Sequence, residues 1–123
     1  MKIRRMNGKV LEICDEKENL IMSVAESLKN NVISISVSGE IRNDVAHEFE
    51  DEVMAAFSVC PVIEINLSQA TYIASLALKA LLSVQQIVDE TDGTSMTVLN
   101  LSPEVKRIFE ESGFIDILCV EER

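Results

Sequence analysis

Tryptophan is missing from this sequence, tyrosine and histidine occur once each, and there are two prolines and four glycines among 123 residues. So little Gly and Pro, beside 47% apolar residues, excludes a disordered or collagen-like chain and leaves one globular domain. The lone His47 cannot anchor a histidine metal cluster. A serine nucleophile would have no second histidine to turn to, and GxSxG is absent. His47 sits in an acidic helical stretch and reads as a surface residue. The three cysteines, Cys14, Cys60 and Cys119, are odd in number, far apart and without CxxC. They suit buried thiols in a reducing compartment, and they cannot supply the about four ligands of a structural zinc. Neither GxGxxG nor GxxxxGK[ST] occurs, and "EINL" ends in Leu67 and Ser68 where a phospho-receiver would cluster acids for Mg²⁺. No cofactor is expected, and catalysis finds no residues to carry it.

Positive charge is scarce as well: 11 Lys and Arg stand against 21 Asp and Glu, a formal net charge of -10. That excludes phosphate neutralisation along a nucleic acid and disfavours anionic lipid. No apolar run approaches the ~20 residues of a bilayer span. The opening "MKIRRMNGKVLEIC" lacks the ~7–15-residue apolar stretch of a secretory signal. The expected location is the cytoplasm, without membrane insertion.

What is present is alternation. "VISISVSGEI" places Ile33, Ile35 and Val37 on one face and Ser34, Ser36 and Ser38 on the other, the period of a half-buried strand. "LIMSVAES" from Leu20 is its hairpin partner, joined through the asparagines of "LKNN". "RNDVAHEFEDEVMAAFSVCP" reads as a helix capped by Asn43 or Asp44. Val45, Phe49, Val53 and Ala56 are its core face, and Glu48, Glu50, Asp51 and Glu52 a solvated one. "VIEINL", Val62 to Leu67, is a short strand. From Ser75 to about Glu90 runs a second helix, with Ala77, Ala80, Leu81, Val84, Ile87 and Val88 inward. "SMTVLNL" is a further strand. "SPEVKRIFEESG" is a helix with Ser102 at the N-cap, Pro103 at N1 and Gly113 past its end. "IDILCV" closes the chain as a strand. Residues 1–19 form an N-terminal extension in which "KVLEIC" suits an edge strand and "DEKEN" a turn. Residues 20–123 then run ββαβαβαβ, a single α/β domain with parallel crossovers after an initial hairpin.

That order, with "VSGEI" at 37–41, "VIEINLSQATYIAS" at 62–75, "LSPEVKRIFEESGF" at 101–114 and the closing "IDILCV", resembles the STAS domain family. Its best-known members are bacterial anti-sigma factor antagonists, and the likeness spans Leu20 to Val120. The resemblance implies a four- to five-stranded mixed sheet with helices mainly on one face, and a role by binding. In such antagonists the third strand leads into Asp-Ser-Ser/Thr-Gly. The second hydroxyl is phosphorylated by an anti-sigma factor that is also a serine kinase, which abolishes capture. Laid on this chain, Ala74 takes the acidic position, Ser75 the first hydroxyl, Leu76 the phospho-acceptor position and Ala77 the glycine. Arg42 stands where antagonists usually carry Asp. The resemblance thus implies an intact scaffold without its usual phosphorylatable serine, Ser75 being a weak phospho-acceptor candidate. The partner surface it implies comprises Arg42, Ala74, Ser75, Leu76, Leu78, Lys79 and Leu82, facing a protein partner such as an anti-sigma serine kinase. Against this, Ser75 can simply cap the helix, and the three leucines can be peripheral core. A scaffold or accessory subunit of a larger assembly, stressosome-like or lipid-transporting, is the alternative role, and a homodimer stays open.

Overall fold

The computed structural model describes residues 2–123. Its strands are β1 (Ile3–Asn7), β2 (Val10–Cys14), β3 (Leu20–Lys29), β4 (Val32–Ile41), β5 (Val62–Ile73), β6 (Ser95–Leu99) and β7 (Val120–Glu121). The helices are α1 (Ala46–Phe57), α2 (Ser75–Asp89) and α3 (Pro103–Ser112). One mixed sheet carries the strands in sequence order. β1 to β4 pair antiparallel, and β4 to β7 pair parallel.

Each parallel step is bridged by one helix, and crossovers of one hand advancing in one direction put every helix on the same face. Burial agrees: Ile33, Ile35, Val37, Ile63, Ile65, Leu67, Met96 and Val98 are buried, and their neighbours Ser34, Ser36, Ser38, Glu64, Asn66 and Thr97 are partly or fully exposed. The β3–β4 turn is made by Asn30 and Asn31, both at positive φ (54° and 62°). That is the requirement of a two-residue hairpin turn matching strand twist.

The sheet has seven strands, not four or five. The extension supplies two of them, since β1 and β2 form a hairpin before the turn at 15–19. β1, "IRRMN", is an edge strand with four exposed residues, so no apolar alternation marks it. Basic side chains at its start have a purpose in packing: Lys2, just before the strand, pairs with Glu48 at 3.7 Å, and Arg4 pairs with Glu52 at 3.6 Å. Part of the acidic face expected to be solvated is therefore covered by the first strand. β5 is twice the expected length. Its pairing with β4 slips between Ser36 and Ser38 and again between Gly39 and Glu40, so two bulges break the period-two pattern after Leu67. The closing strand shrinks to Val120–Glu121, because Phe114–Asp116 form a 3₁₀ turn that sends Leu118 into the core. Cys14 and Cys60 are buried, but Cys119 is exposed. On α2 the inward face includes Leu78, 5% exposed, whereas Ile87 is 47% exposed. The structure exchanges these two residues relative to the sequence pattern.

Gly39 holds β3 and β4 together at the end nearest the β5–α2 junction. It sits opposite Met22 at φ +90°, and a Cβ there would lie 2.4 Å from the carbonyl oxygen of Ile21. Only glycine permits this approach without displacing backbone.

Candidate functional site: the β5–α2 junction

β5 ends at Ile73, and the Ala74 amide donates to the Ile41 carbonyl at 2.8 Å, so the ends of β4 and β5 stay locked side by side. Ala74, extended at φ -85° and ψ 164°, is the N-cap of α2 and has no side-chain acceptor to offer. The acceptor comes from another element. Asn43, just past β4, places its Oδ1 3.2 Å from the Leu76 amide, which donates to it. One of the free N–H groups of the α2 N-terminus is thereby satisfied across the junction.

This differs from the expected capping of α1. Asn43–Val45 form a 3₁₀ turn, and the N-cap of α1 is Val45, with no side-chain cap. Asp44 instead clasps Arg42 through two hydrogen bonds, Nε to Oδ1 at 3.1 Å and Nη2 to Oδ2 at 2.9 Å. The hydrogen bond to Arg42 is the main force holding the Asp44 carboxyl below its ordinary range, and the same bond raises Arg42. Arg42 thus spends its fork on a neighbour. It stands beside the junction as half of a neutral pair.

The remaining expected residues divide into two groups. Ala74 and Leu78 are buried, 2% and 5% exposed, so neither side chain can meet a partner; both belong to the core. Leu82 is half-buried. Ser75, Leu76 and Lys79 are exposed, and Leu76 shows 49% of its surface. Ser75 is the first helical residue and not the cap. Its hydroxyl has no acid or base partner among the described residues. Leu76 and Lys79 line an open hollow of about 280 Å³ between α1 and α2, facing Asn43, His47 and Glu50. The imidazole of His47 lies 3.4 Å from Asp51 and is 82% exposed, a surface position.

The site therefore offers an ordered helix start, a leucine held in water, the Lys79 ammonium with no salt bridge among the described residues, and an opposite wall that carries His47 and Glu50. That arrangement supports recognition of a protein surface; nothing in it activates a nucleophile. Among the described residues no group of three or more His, Cys, Asp or Glu is placed to hold a metal. No helix is long and apolar enough to cross a membrane.

Residues 24–119 match the family model described as "Mlab, STAS domain", most of the 123-residue chain. The chain belongs to the STAS domain family. Solved STAS structures share its fold. An anti-sigma factor antagonist from Mycobacterium paratuberculosis superimposes with a TM-score of 0.72 at 23% identity, covering 80% of this chain and 84% of that one. A putative anti-sigma factor antagonist from Thermotoga maritima gives 0.71 at 17% identity, covering 81% and 86%. The phosphorylated form of the Bacillus cell fate determinant SpoIIAA gives 0.62 at 16% identity, covering 81% and 90%. The STAS match begins inside β3, so β1 and β2 lie outside it.

Asn43 is the residue that sequence reasoning assigned to the wrong helix. The available signal was negative: a helix starting Ala-Ser-Leu-Ala, with alanine at the cap, needs an acceptor from elsewhere in the chain.

Proposed function

We propose that this STAS domain is a cytoplasmic regulatory binding protein of the anti-sigma factor antagonist kind, non-catalytic, that docks a protein partner through the start of α2. The observation that carries this reading is Leu76, a half-exposed leucine at the position matching the family phosphosite, beside a helix start capped by Asn43. A leucine exposed to water there is unfavourable in the free chain and favourable once a partner covers it. The contact set is then Ser75, Leu76 and Lys79, with Asn43 and His47 from the facing element and the Arg42–Asp44 pair at the margin. Leucine accepts no phosphate. The surface binds constitutively, where a serine would allow phosphate, with about two negative charges, to expel the partner.

The partner class this favours is an anti-sigma factor serine kinase from the same cell. Leu76→Asp tests it: capture of that kinase should fall by at least about ten-fold, as for loss of a central apolar anchor. Thermal stability should stay within ~2 °C, because position 76 is on the surface. Undiminished capture by the variant removes the site.

A second reading, an accessory subunit of a larger assembly, is favoured by one observation. The β1–β2 hairpin lies outside the family match and leaves β1 as an exposed edge strand. Recovery of a transporter ATPase or scaffold, lost when residues 1–14 are replaced but kept in Leu76→Asp, would favour that reading.

A further inference from the structure

Away from the α2 start, the last turn of α1 and the tip of the β3–β4 hairpin enclose an open groove of about 380 Å³. Its walls are apolar and uncovered: Leu28 is 62% exposed and Val59 71%, with Ile33 buried beneath. Two acidic residues, Glu26 and Glu52, also line it.

The position of Glu26 is unusual. Met22, Val24, Glu26 and Leu28 alternate along the helix-facing side of β3, and Met22 and Val24 are buried. Glu26 pairs in register with Ile35, a fully buried residue. Glu26 itself is exposed, so the chain sets a carboxyl just outside its core, directly against a second carboxyl on α1. Partial burial, then the charge of Glu52 and a hydrogen bond to it, hold Glu26 above the ordinary carboxyl range. Arg4 approaches Glu52 from β1, and no salt bridge reaches Glu26 among the described residues. The groove therefore joins hydrocarbon walls to two carboxyls served by a single cation, Arg4 on Glu52.

We propose that this groove receives a lysine or arginine side chain carried on an apolar segment of a partner protein. The cation would sit between Glu26 and Glu52, and its apolar neighbours on Leu28 and Val59. Long cationic side chains suit such a place, since their stems cover apolar surface while the head meets the carboxylates in charge-assisted hydrogen bonds. A second copy is a poor occupant, because each copy carries a net charge of -10. The groove shares no residue with the α2 surface, so the two can be tested separately.

The test is an NMR titration of the ¹⁵N-labelled full chain with the peptide Ac-Ser-Leu-Arg-Leu-Ser-amide and its glutamine analogue. The expected result is saturable shifts at 26–28, 33 and 52–59 with the arginine peptide. The glutamine analogue should bind about ten-fold more weakly, and the doubly neutral variant Glu26→Gln/Glu52→Gln should lose the same factor. Leu28→Asp, at an exposed position, should also weaken binding and serves if the double variant misfolds. The proposal fails on absence of shifts at millimolar peptide, on equal binding of the two peptides, or on shifts confined to the start of α2. Sedimentation showing a dimer that buries the groove would also overturn it.

Discussion

Replacing Gly39 by alanine probes the joint on which the β5–α2 junction rests. Two costs combine. At φ +90° an L-residue is strained, which costs about 1–2 kcal/mol on its own. The new Cβ would also meet the Ile21 carbonyl oxygen at 2.4 Å. That oxygen belongs to backbone and cannot rotate away, so β3 must shift, at a further ~1–3 kcal/mol if the cost resembles overpacking elsewhere. The sum is about 3 kcal/mol. A chain of 123 residues has an unfolding entropy near 0.26 kcal/mol per degree, so the midpoint should fall by roughly 12 °C. Differential scanning calorimetry reads this directly. Because Ile41 and Asn43 follow Gly39 by two and four residues, the amides of Ala74 and Leu76 should also lose protection from hydrogen exchange. A midpoint within ~3 °C of the parent would refute the reasoning, since neither the strain nor the close approach would then be real.

Ser102→Ala removes the acceptor for the Val105 amide, a 3.1 Å bond at a buried N-cap. The loss should be about 1–2 kcal/mol, or ~4–8 °C by calorimetry, and Ser102→Thr should recover most of it. Leu78→Asp places a charge in the core and should unfold the chain or lower its midpoint severely by circular dichroism, in contrast to Leu76→Asp one turn-face away. Glu26→Gln should stabilise at neutral pH. The folded carboxyl is raised above its ordinary 4.5, so its contribution is fully present below that value and lost as pH rises through the folded value. The advantage of the glutamine variant should therefore vanish near pH 4 and grow towards pH 7 in thermal melts.

The middle of this fold was legible in the sequence because its signals are local. Serine alternation marks β4, paired asparagines mark the hairpin turn, and Ser102, Pro103 and Gly113 punctuate α3, where the cap bond and the left-handed Gly113 (φ 82°) are found as expected. What escaped depends on contacts between distant segments. β1 is a mostly exposed edge strand whose Arg4 pairs with α1 and whose Arg5 pairs with β2, so period-two hydrophobicity never appears in it. β5 keeps apolar residues at 67, 70 and 73, a spacing of three imposed by bulges that only pairing with β4 reveals. Which side chains of the candidate junction reach the surface was not legible in the sequence. Ser75, Leu76 and Lys79 are exposed together, while Ala74 and Leu78 are core, because an α2 that packs on the sheet and on α1 has a wide apolar face. Asn43 acts over 33 positions, and no window along the chain contains that bond.

Partner capture without a phosphate switch can be measured directly. The chain is incubated with the anti-sigma factor kinase of its own cell, with and without ATP, and both complex yield and intact mass are recorded. Ser75 is one residue from the matching position, and one residue rotates direction on a helix by ~100°, which misaligns its hydroxyl for transfer. A stable complex is expected in both conditions, with a mass unchanged by ATP. Stoichiometric phosphate on Ser75 with dissociation of the complex would contradict it.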